Sequence, residues 1–103
     1  MIKVTFLKDV NGYFGFELSG HSDYAENGTD IVCAAVSSAA YLTANNVTDF
    51  FKIKADVTVS DGYMKLTAGK SDNLNHLIEG FYHHMLGLES QYKQDINVII
   101  SEV

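Results

Sequence analysis

The sequence contains no arginine, no proline and only one cysteine, and its thirteen acidic residues outnumber seven lysines. Proteins that bind DNA or RNA usually carry basic patches, in which arginine reads phosphates and base edges. The formal net charge of -6 therefore argues against direct nucleic-acid binding and favours partners with basic surfaces. A single cysteine also excludes a disulfide within the chain.

Long apolar runs are missing as well, because no stretch approaches the roughly 20 residues that cross a bilayer. The opening Met-Ile-Lys-Val-Thr lacks the charged and then apolar layout of a secretory signal, so we expect a cytoplasmic protein with no membrane partner. What is present is typical of a folded protein: 103 residues, of which 47% are hydrophobic and 19% charged. We expect one domain over residues 1–103.

Alternation of apolar and polar side chains predicts five strands: Ile2–Lys8, Tyr13–Ser19, Ile53–Ser60, Tyr63–Gly69 and Ile96–Ile100. Two dipeptides, Asn-Gly and Asp-Gly, separate the first pair of strands and the second pair. Both dipeptides are typical of the tight turns of β-hairpins. The first four strands therefore predict two hairpins.

Helical spacing occurs in two places. After Asp30, a natural N-cap, no glycine or proline interrupts the pattern through Phe51. The predicted apolar stripe of this helix consists of Ile31, Ala35, Ala39, Leu42 and Val47. Ser71 caps a second helix that runs to about Lys93. The order ββαββαβ predicts an α+β fold, in which an antiparallel or mixed sheet has two long helices packed against it.

Cys33 has two interpretations that the residues alone leave open. Cysteine is often buried, and the apolar run Ile-Val-Cys-Ala-Ala-Val suits a plain core residue. Position favours the other interpretation, because the first turn of a helix carries the positive end of the macrodipole and stabilises a thiolate. A thiolate is a nucleophile for acyl transfer, and the backbone N–H groups of the same turn suit the oxyanion that forms.

His21, Asp30 and Ser37 are the polar side chains that would complete such a site. His21 follows Gly20 at the end of the second strand, where it is either a solvated loop residue or the base of a Cys-His pair. Asp30 either caps the helix only or also orients His21. Ser37 lies one turn beyond Cys33, and its hydroxyl either bonds back to the Cys33 carbonyl or joins the site.

We expect no metal and no cofactor. His76, His83 and His84 fall on the second predicted helix without the three or four convergent ligands that a metal site requires, and His83 and His84 suit the surface. The glycines are dispersed, and none of them forms a phosphate-binding loop between a strand and a helix.

The run Gly-His-Ser-Asp-Tyr-Ala-Glu-Asn-Gly-Thr-Asp-Ile-Val-Cys-Ala-Ala-Val-Ser, residues 20–37, resembles the signature of the ribosomal-processing cysteine protease family, known as Prp or YsxB-like. In that signature Gly-His precedes a Tyr-Ala pair and then Gly-x-Asp-Ile-Val-Cys-Ala-Ala-Val-Ser. The match has no gap, and Gly-Leu-Glu-Ser-Gln-Tyr at residues 87–92 supports it. One departure is Asp23, which stands where many members have glycine.

The resemblance implies a homodimeric, cytoplasmic cysteine endopeptidase that removes the N-terminal extension of ribosomal protein bL27. It implies catalytic roles for Cys33 and His21, and supporting roles for Gly20, Asp30 and Ser37. It also implies a mobile loop that covers bound peptide and an apolar groove beside the helix start. The alternative is a non-catalytic ribosome-assembly factor that binds a ribosomal protein without cleaving it.

Overall fold

Five strands and two long helices follow one another in the order that the sequence predicts. A computed structural model describes residues 1–20 and 31–103 of the chain. The strands are β1 (Ile2–Asp9), β2 (Gly12–Ser19), β3 (Ala55–Ser60), β4 (Tyr63–Ala68) and β5 (Ile96–Glu102). The helices are α1 (Ile31–Asn45) and α2 (Asp72–Gln91), and a π-helical segment, Asn46–Phe50, follows α1 directly.

The strands form one mixed sheet in the order β3-β4-β2-β1-β5. Strand β5 runs parallel to β1, and the other neighbouring pairs are antiparallel. Residues opposite each other in neighbouring strands project from the same face of a sheet. One such row crosses the whole sheet: Val59, Met64, Leu18, Val4 and Val98. The predicted α+β fold is therefore confirmed, and its sheet is of the mixed kind.

The core lies between one face of the sheet and the two helices. Phe6, in the interior strand β1, is fully buried, and its ring lies 5.4 Å from that of Phe81 and 5.2 Å from that of Tyr82 in edge-to-face geometry. Phe16 meets Phe81 at 4.8 Å in the same geometry. Each large side chain buried in this way contributes about 1.5–3 kcal/mol to folding, so these rings fix α2 firmly across β1 and β2.

Helix α2 begins where the sequence predicts. The Ser71 hydroxyl accepts a hydrogen bond from the backbone N–H of Leu74 at 3.1 Å, which confirms the predicted N-cap. Leu74, Ile78, Phe81 and Met85 are buried along one face, at the spacings of three and four residues that are typical of an amphipathic helix. None of the helices in the described part of the chain is both long and apolar enough to span a bilayer.

The predicted apolar stripe of α1 is wrong at two of its five positions, and Ala35 and Ala39 are only half-buried. Ile31 is 55% exposed and Leu42 is 61% exposed, whereas Val47 is buried as predicted. The side chains that α1 buries are Val32, Val36, Ala40, Thr43 and Ala44. Because α1 is rich in alanine, several stripes have similar apolar character, and the valines at a spacing of four decide which one meets the sheet.

Two strand boundaries differ from the prediction by two residues, and the other strands differ by one. Strand β3 begins at Ala55 and not at Ile53, because the backbone N–H of Ile53 bonds the carbonyl of Val47 at 2.8 Å and stays with the end of the helix. Strand β5 continues beyond Ile100 to Glu102, where it still pairs with β1. The parallel partner supplies a ladder for these last residues that the apolar pattern alone does not reveal.

Both predicted hairpins are present, with glycines of positive φ at Gly12 and Gly62. In the first turn the Asp9 carboxylate accepts hydrogen bonds from the backbone N–H of Asn11, at 2.8 Å, and from the ammonium group of Lys70. The Lys70 hydrogen bond, and after it the backbone bond from Asn11, lowers the pKa of Asp9 below its ordinary value of 3.8. The turn therefore depends on a charged carboxylate.

We predict an acid-sensitive contribution of Asp9 to stability. Because its folded pKa is depressed, the contribution is complete above the unfolded value of 3.8 and is lost as the pH falls through the lower folded pKa. A carbon-13 NMR titration of the Asp9 carboxyl measures that pKa, and Asp9→Asn should flatten the stability profile below pH 4. The exposed carboxylate Asp56 offers a control through Asp56→Asn. An Asp9 midpoint at or above 3.8 would contradict the prediction.

Candidate active site

Cys33 is the third residue of α1 and lies in its first turn, as the sequence predicts. Its side chain is half-buried and packs against the apolar core. Side chains of an α-helix tilt toward its N-terminus, so the sulfur lies near the positive end of the α1 dipole. Cys33 therefore contacts the core and also lines a pocket, and its role as a nucleophile stays a prediction.

The pocket beside Cys33 has a volume of about 280 Å³ and lies between α1 and the sheet. Ile2, Leu18 and Met64 supply apolar lining from three strands, and Val36 and Ala40 supply it from the helix. The remaining lining comes from Gly20, Tyr41, Ser37 and the β3–β4 turn, residues 60–63. Apart from Cys33, the lining therefore combines apolar side chains with a few polar groups from α1 and from the β3–β4 turn, among them Asp61, and such a mixture is typical of a binding pocket.

Cys33, Ser37 and Tyr41 line the same wall of this pocket. They are four residues apart in α1, a spacing that places side chains one above another on a helix. Ser37 therefore lies one helical turn from the sulfur and Tyr41 lies two turns away. Ser37 could be identified from the sequence but Tyr41 could not, since an exposed tyrosine on a helix gives no signal of its own.

Gly20 directly follows β2 and lies at the edge of the pocket. Its φ is +95°, and a Cβ atom at this position would lie 2.3 Å from the carbonyl oxygen of Met1. Its backbone N–H donates to the carbonyl of Gly62 at 2.9 Å, which joins the end of the first hairpin to the turn of the second. Only glycine fits this conformation and this close approach, so the residue has a structural reason to be there.

Three of the predicted site residues, Gly20, Cys33 and Ser37, line this one pocket. His21 and Asp30, together with Asp23 and the loop between them, lie outside the described residues. The Cys-His pair, the cap at Asp30 and the covering loop stay predictions. Gly20 nevertheless places the chain at the edge of the pocket immediately before His21.

The start of β4, at Tyr63, is held by a hydrogen bond that the sequence does not reveal. The Tyr63 hydroxyl donates to the Glu17 carboxylate at 2.5 Å. This hydrogen bond, with desolvation and the Glu17 charge as smaller causes, raises the pKa of Tyr63 above its ordinary value of 10.0. The contact joins β2 and β4 next to the pocket and keeps the two hairpins in register. The contact between Tyr63 and Glu17 can be predicted from the sequence only if β2 and β4 are already known to be neighbouring strands.

The three histidines of α2 are not grouped as the ligands of a metal ion would be. His76, His83 and His84 are exposed on α2, and the prediction that His83 and His84 lie at the surface is confirmed. Over residues 1–20 and 31–103, no three His, Cys, Asp or Glu side chains come together as metal ligands would.

Comparison with known proteins gives the family of this chain and the class of reaction that the family catalyses. The model of the family described as cysteine protease Prp matches residues 1–97. The chain belongs to the Prp family of cysteine proteases. It is therefore a hydrolase of the thiol protease class. Among the relatives is the ribosomal processing cysteine protease Prp of Bacillus subtilis, which is 29% identical over 95% of this chain and 96% of its own length.

Solved structures share the fold of this Prp family member. The Prp protease of S. aureus, in complex with a covalently linked product peptide, superposes with a TM-score of 0.91 over 98% of this chain and 100% of its own, at 21% identity. SMU.848 from Streptococcus mutans superposes with a TM-score of 0.87 over 100% of this chain and 96% of its own, at 26% identity. The arrangement of sheet and helices is thus the arrangement of a Prp protease.

We predict that Gly20→Ala destabilises the fold by about 1–3 kcal/mol, because the added methyl group meets the Met1 carbonyl and the positive φ is strained. Urea unfolding measures the loss. Gly69→Ala is the matched control, since a Cβ there has no atom within 4 Å, and its effect should stay within about 0.5 kcal/mol. Equal midpoints for the two variants would show that the close approach is not required.

Proposed function

We propose that this protease removes the N-terminal extension of ribosomal protein bL27, with Cys33 as the nucleophile and His21 as the general base. One observation carries the assignment of the nucleophile. A cysteine protease requires a cysteine thiol, the chain has one cysteine, and that residue lines a pocket in the first turn of a helix.

The position of Cys33 supports its reactivity. A thiolate at a helix N-terminus is stabilised by the positive end of the macrodipole, and an adjacent imidazolium stabilises it further. The backbone N–H groups of the first turn point toward the same end of α1. They are therefore oriented to stabilise the negative oxygen of a tetrahedral intermediate next to the sulfur.

The reaction proceeds in two stages. His21 takes the thiol proton, and the sulfur of Cys33 attacks the scissile carbonyl carbon to form a tetrahedral intermediate. The C–N bond breaks, His21 returns the proton to the leaving amine, and a thioester to Cys33 remains. Water then attacks the thioester with His21 as base, the C–S bond breaks, and the carboxylate product and the thiol are released.

Gly20, Asp30 and Ser37 have supporting roles in this proposal. Gly20 sets the direction in which the chain leaves β2, and so positions the residue that follows it. Ser37 contributes a hydroxyl to the pocket wall one turn from the sulfur. Asp30, which precedes α1, is proposed to cap the helix that carries Cys33.

Three observations support a ribosomal protein as substrate. The Bacillus subtilis relative is a ribosomal processing protease, and the S. aureus Prp structures hold a substrate peptide or a covalently linked product peptide. The net charge of -6 attracts a basic protein, and ribosomal proteins are typically basic because they bind RNA. The apolar lining of the Cys33 pocket suits a peptide with apolar residues near the cleaved bond.

We predict that Cys33→Ala abolishes cleavage of a peptide that copies the bL27 extension and leaves the fold intact, because alanine is at least as favourable as cysteine in a helix. Mass spectrometry of the peptide measures turnover, and circular dichroism measures the fold. His21→Ala should slow both cleavage and alkylation of Cys33 at neutral pH, whereas His84→Ala, exposed on α2, should slow neither. Cleavage by Cys33→Ala would refute the assignment.

We further propose that the protease is a cytoplasmic homodimer, in keeping with its family. A sheet with two edge strands offers surfaces that a second copy would cover. Light scattering should therefore give a mass of twice 11.4 kDa. A mass of 11.4 kDa at the concentrations used for activity assays would contradict the dimer.

A further inference from the structure

A second apolar surface adjoins the Cys33 pocket, on the edge strand β3. Val57 is 43% exposed and Val59 is 50% exposed, although their partners in the neighbouring strand, Leu66 and Met64, are buried. Opposite residues of paired strands share a face, so both valines project toward the helix side of the sheet. The helices therefore leave this part of the apolar face uncovered.

The valine pair continues the pocket without a break in the register. Met64 lines the Cys33 pocket, and Val59 is its direct partner across the β3–β4 ladder. Val57 is the next residue of β3 on the same face. Ser60, which lines the pocket, follows Val59 in the chain. An apolar path therefore leads from the pocket along β3 to the edge of the sheet.

Exposed valines on an edge strand are unfavourable unless something covers them, since an edge invites association. The residues that alternate with the valines, Asp56, Thr58 and Ser60, are exposed and polar, so β3 has one apolar side and one polar side. The apolar side is the one that is continuous with the reaction pocket. This continuity favours a ligand of the pocket as the molecule that covers Val57 and Val59.

We propose that Val57 and Val59 bind an apolar segment of the peptide substrate, outside the pocket that holds the residue next to the cleaved bond. This inference rests on the proposed peptidase function and adds a specificity surface to it. Val57 and Val59 lie two residues apart in a strand, a distance of about 6.5–7 Å. An extended peptide presents side chains at the same spacing, so the valines match two apolar side chains at alternate positions of the substrate.

The test compares the double variant Val57→Thr, Val59→Thr with the native enzyme on the bL27 peptide. Threonine keeps the β-branched shape and the preference for strands, so the substitution removes apolar contact without removing the strand. We expect KM to rise about 3- to 10-fold with kcat little changed, because the valines touch no reacting atom. Ile100→Thr is the control: Ile100 is 40% exposed and lies on the opposite edge strand, in the same row as Val57.

A second set of peptides locates the contact. Each apolar residue of the bL27 peptide is replaced by serine, one at a time, and kcat/KM is measured with both enzymes. We expect replacements at two alternate positions to lower kcat/KM for the native enzyme but to lower it no further for the double variant, which is the signature of directly coupled groups.

The outcomes separate this inference from the proposed function. An unchanged KM for the double variant, while native enzyme cleaves the peptide and Cys33→Ala does not, overturns the valine surface alone. Failure of the native enzyme to cleave the peptide overturns both. If the double variant changes the mass found by light scattering, and its kinetic defect disappears as enzyme concentration rises, the surface holds a second copy of the chain and the inference is wrong.

Discussion

The packing of one side of α1 against the sheet determines where every other part of the site lies. Val32 and Val36 are fully buried, and they fix both the rotation and the height of the helix. Cys33 follows Val32 directly, so a rotation of α1 by one residue would turn the sulfur about 100° away from the pocket. Well-packed valines resist such a rotation because their side chains have few rotamers and the interior has no room. The position of the Cys33 sulfur is thus set by the buried side chains of Val32 and Val36.

The pocket depends equally on two hairpins that are distant in the sequence. Met1 and Gly20 approach so closely that no side chain fits between them, and Gly20 then bonds the turn at Gly62. These contacts bring the first residues of β1, the end of β2 and the start of β4 to the same side of α1. The hydrogen bond between the Tyr63 hydroxyl and the Glu17 carboxylate also joins β4 to β2. The Cys33 pocket therefore forms only when the sheet is assembled, because the sheet supplies the side of the pocket opposite α1.

Local signals in the sequence predicted most of the fold. Alternation, two turn dipeptides and the Ser71 cap are short-range features, and the structure confirms them. The face of α1 was predicted wrongly because its alanines are compatible with several stripes, and only the sheet selects among them. Cys33 and Ser37 could be identified from helical spacing and from the family signature. Tyr41, Tyr63 and the β3–β4 turn could not, because their place in the pocket depends on long-range register.

The parallel pairing of β1 with β5 has a consequence for how the molecule is made. Ile2 pairs with Ile96, so the interior strand β1 acquires its second neighbour from the far end of the described chain. Contacts of such long sequence separation form late and slow the folding of a domain. Until β5 arrives, β1 presents an open hydrogen-bonding edge beside fully apolar side chains, a combination that promotes aggregation. The wall of the Cys33 pocket that Ile2 supplies is therefore held from both sides only after β5 has joined the sheet.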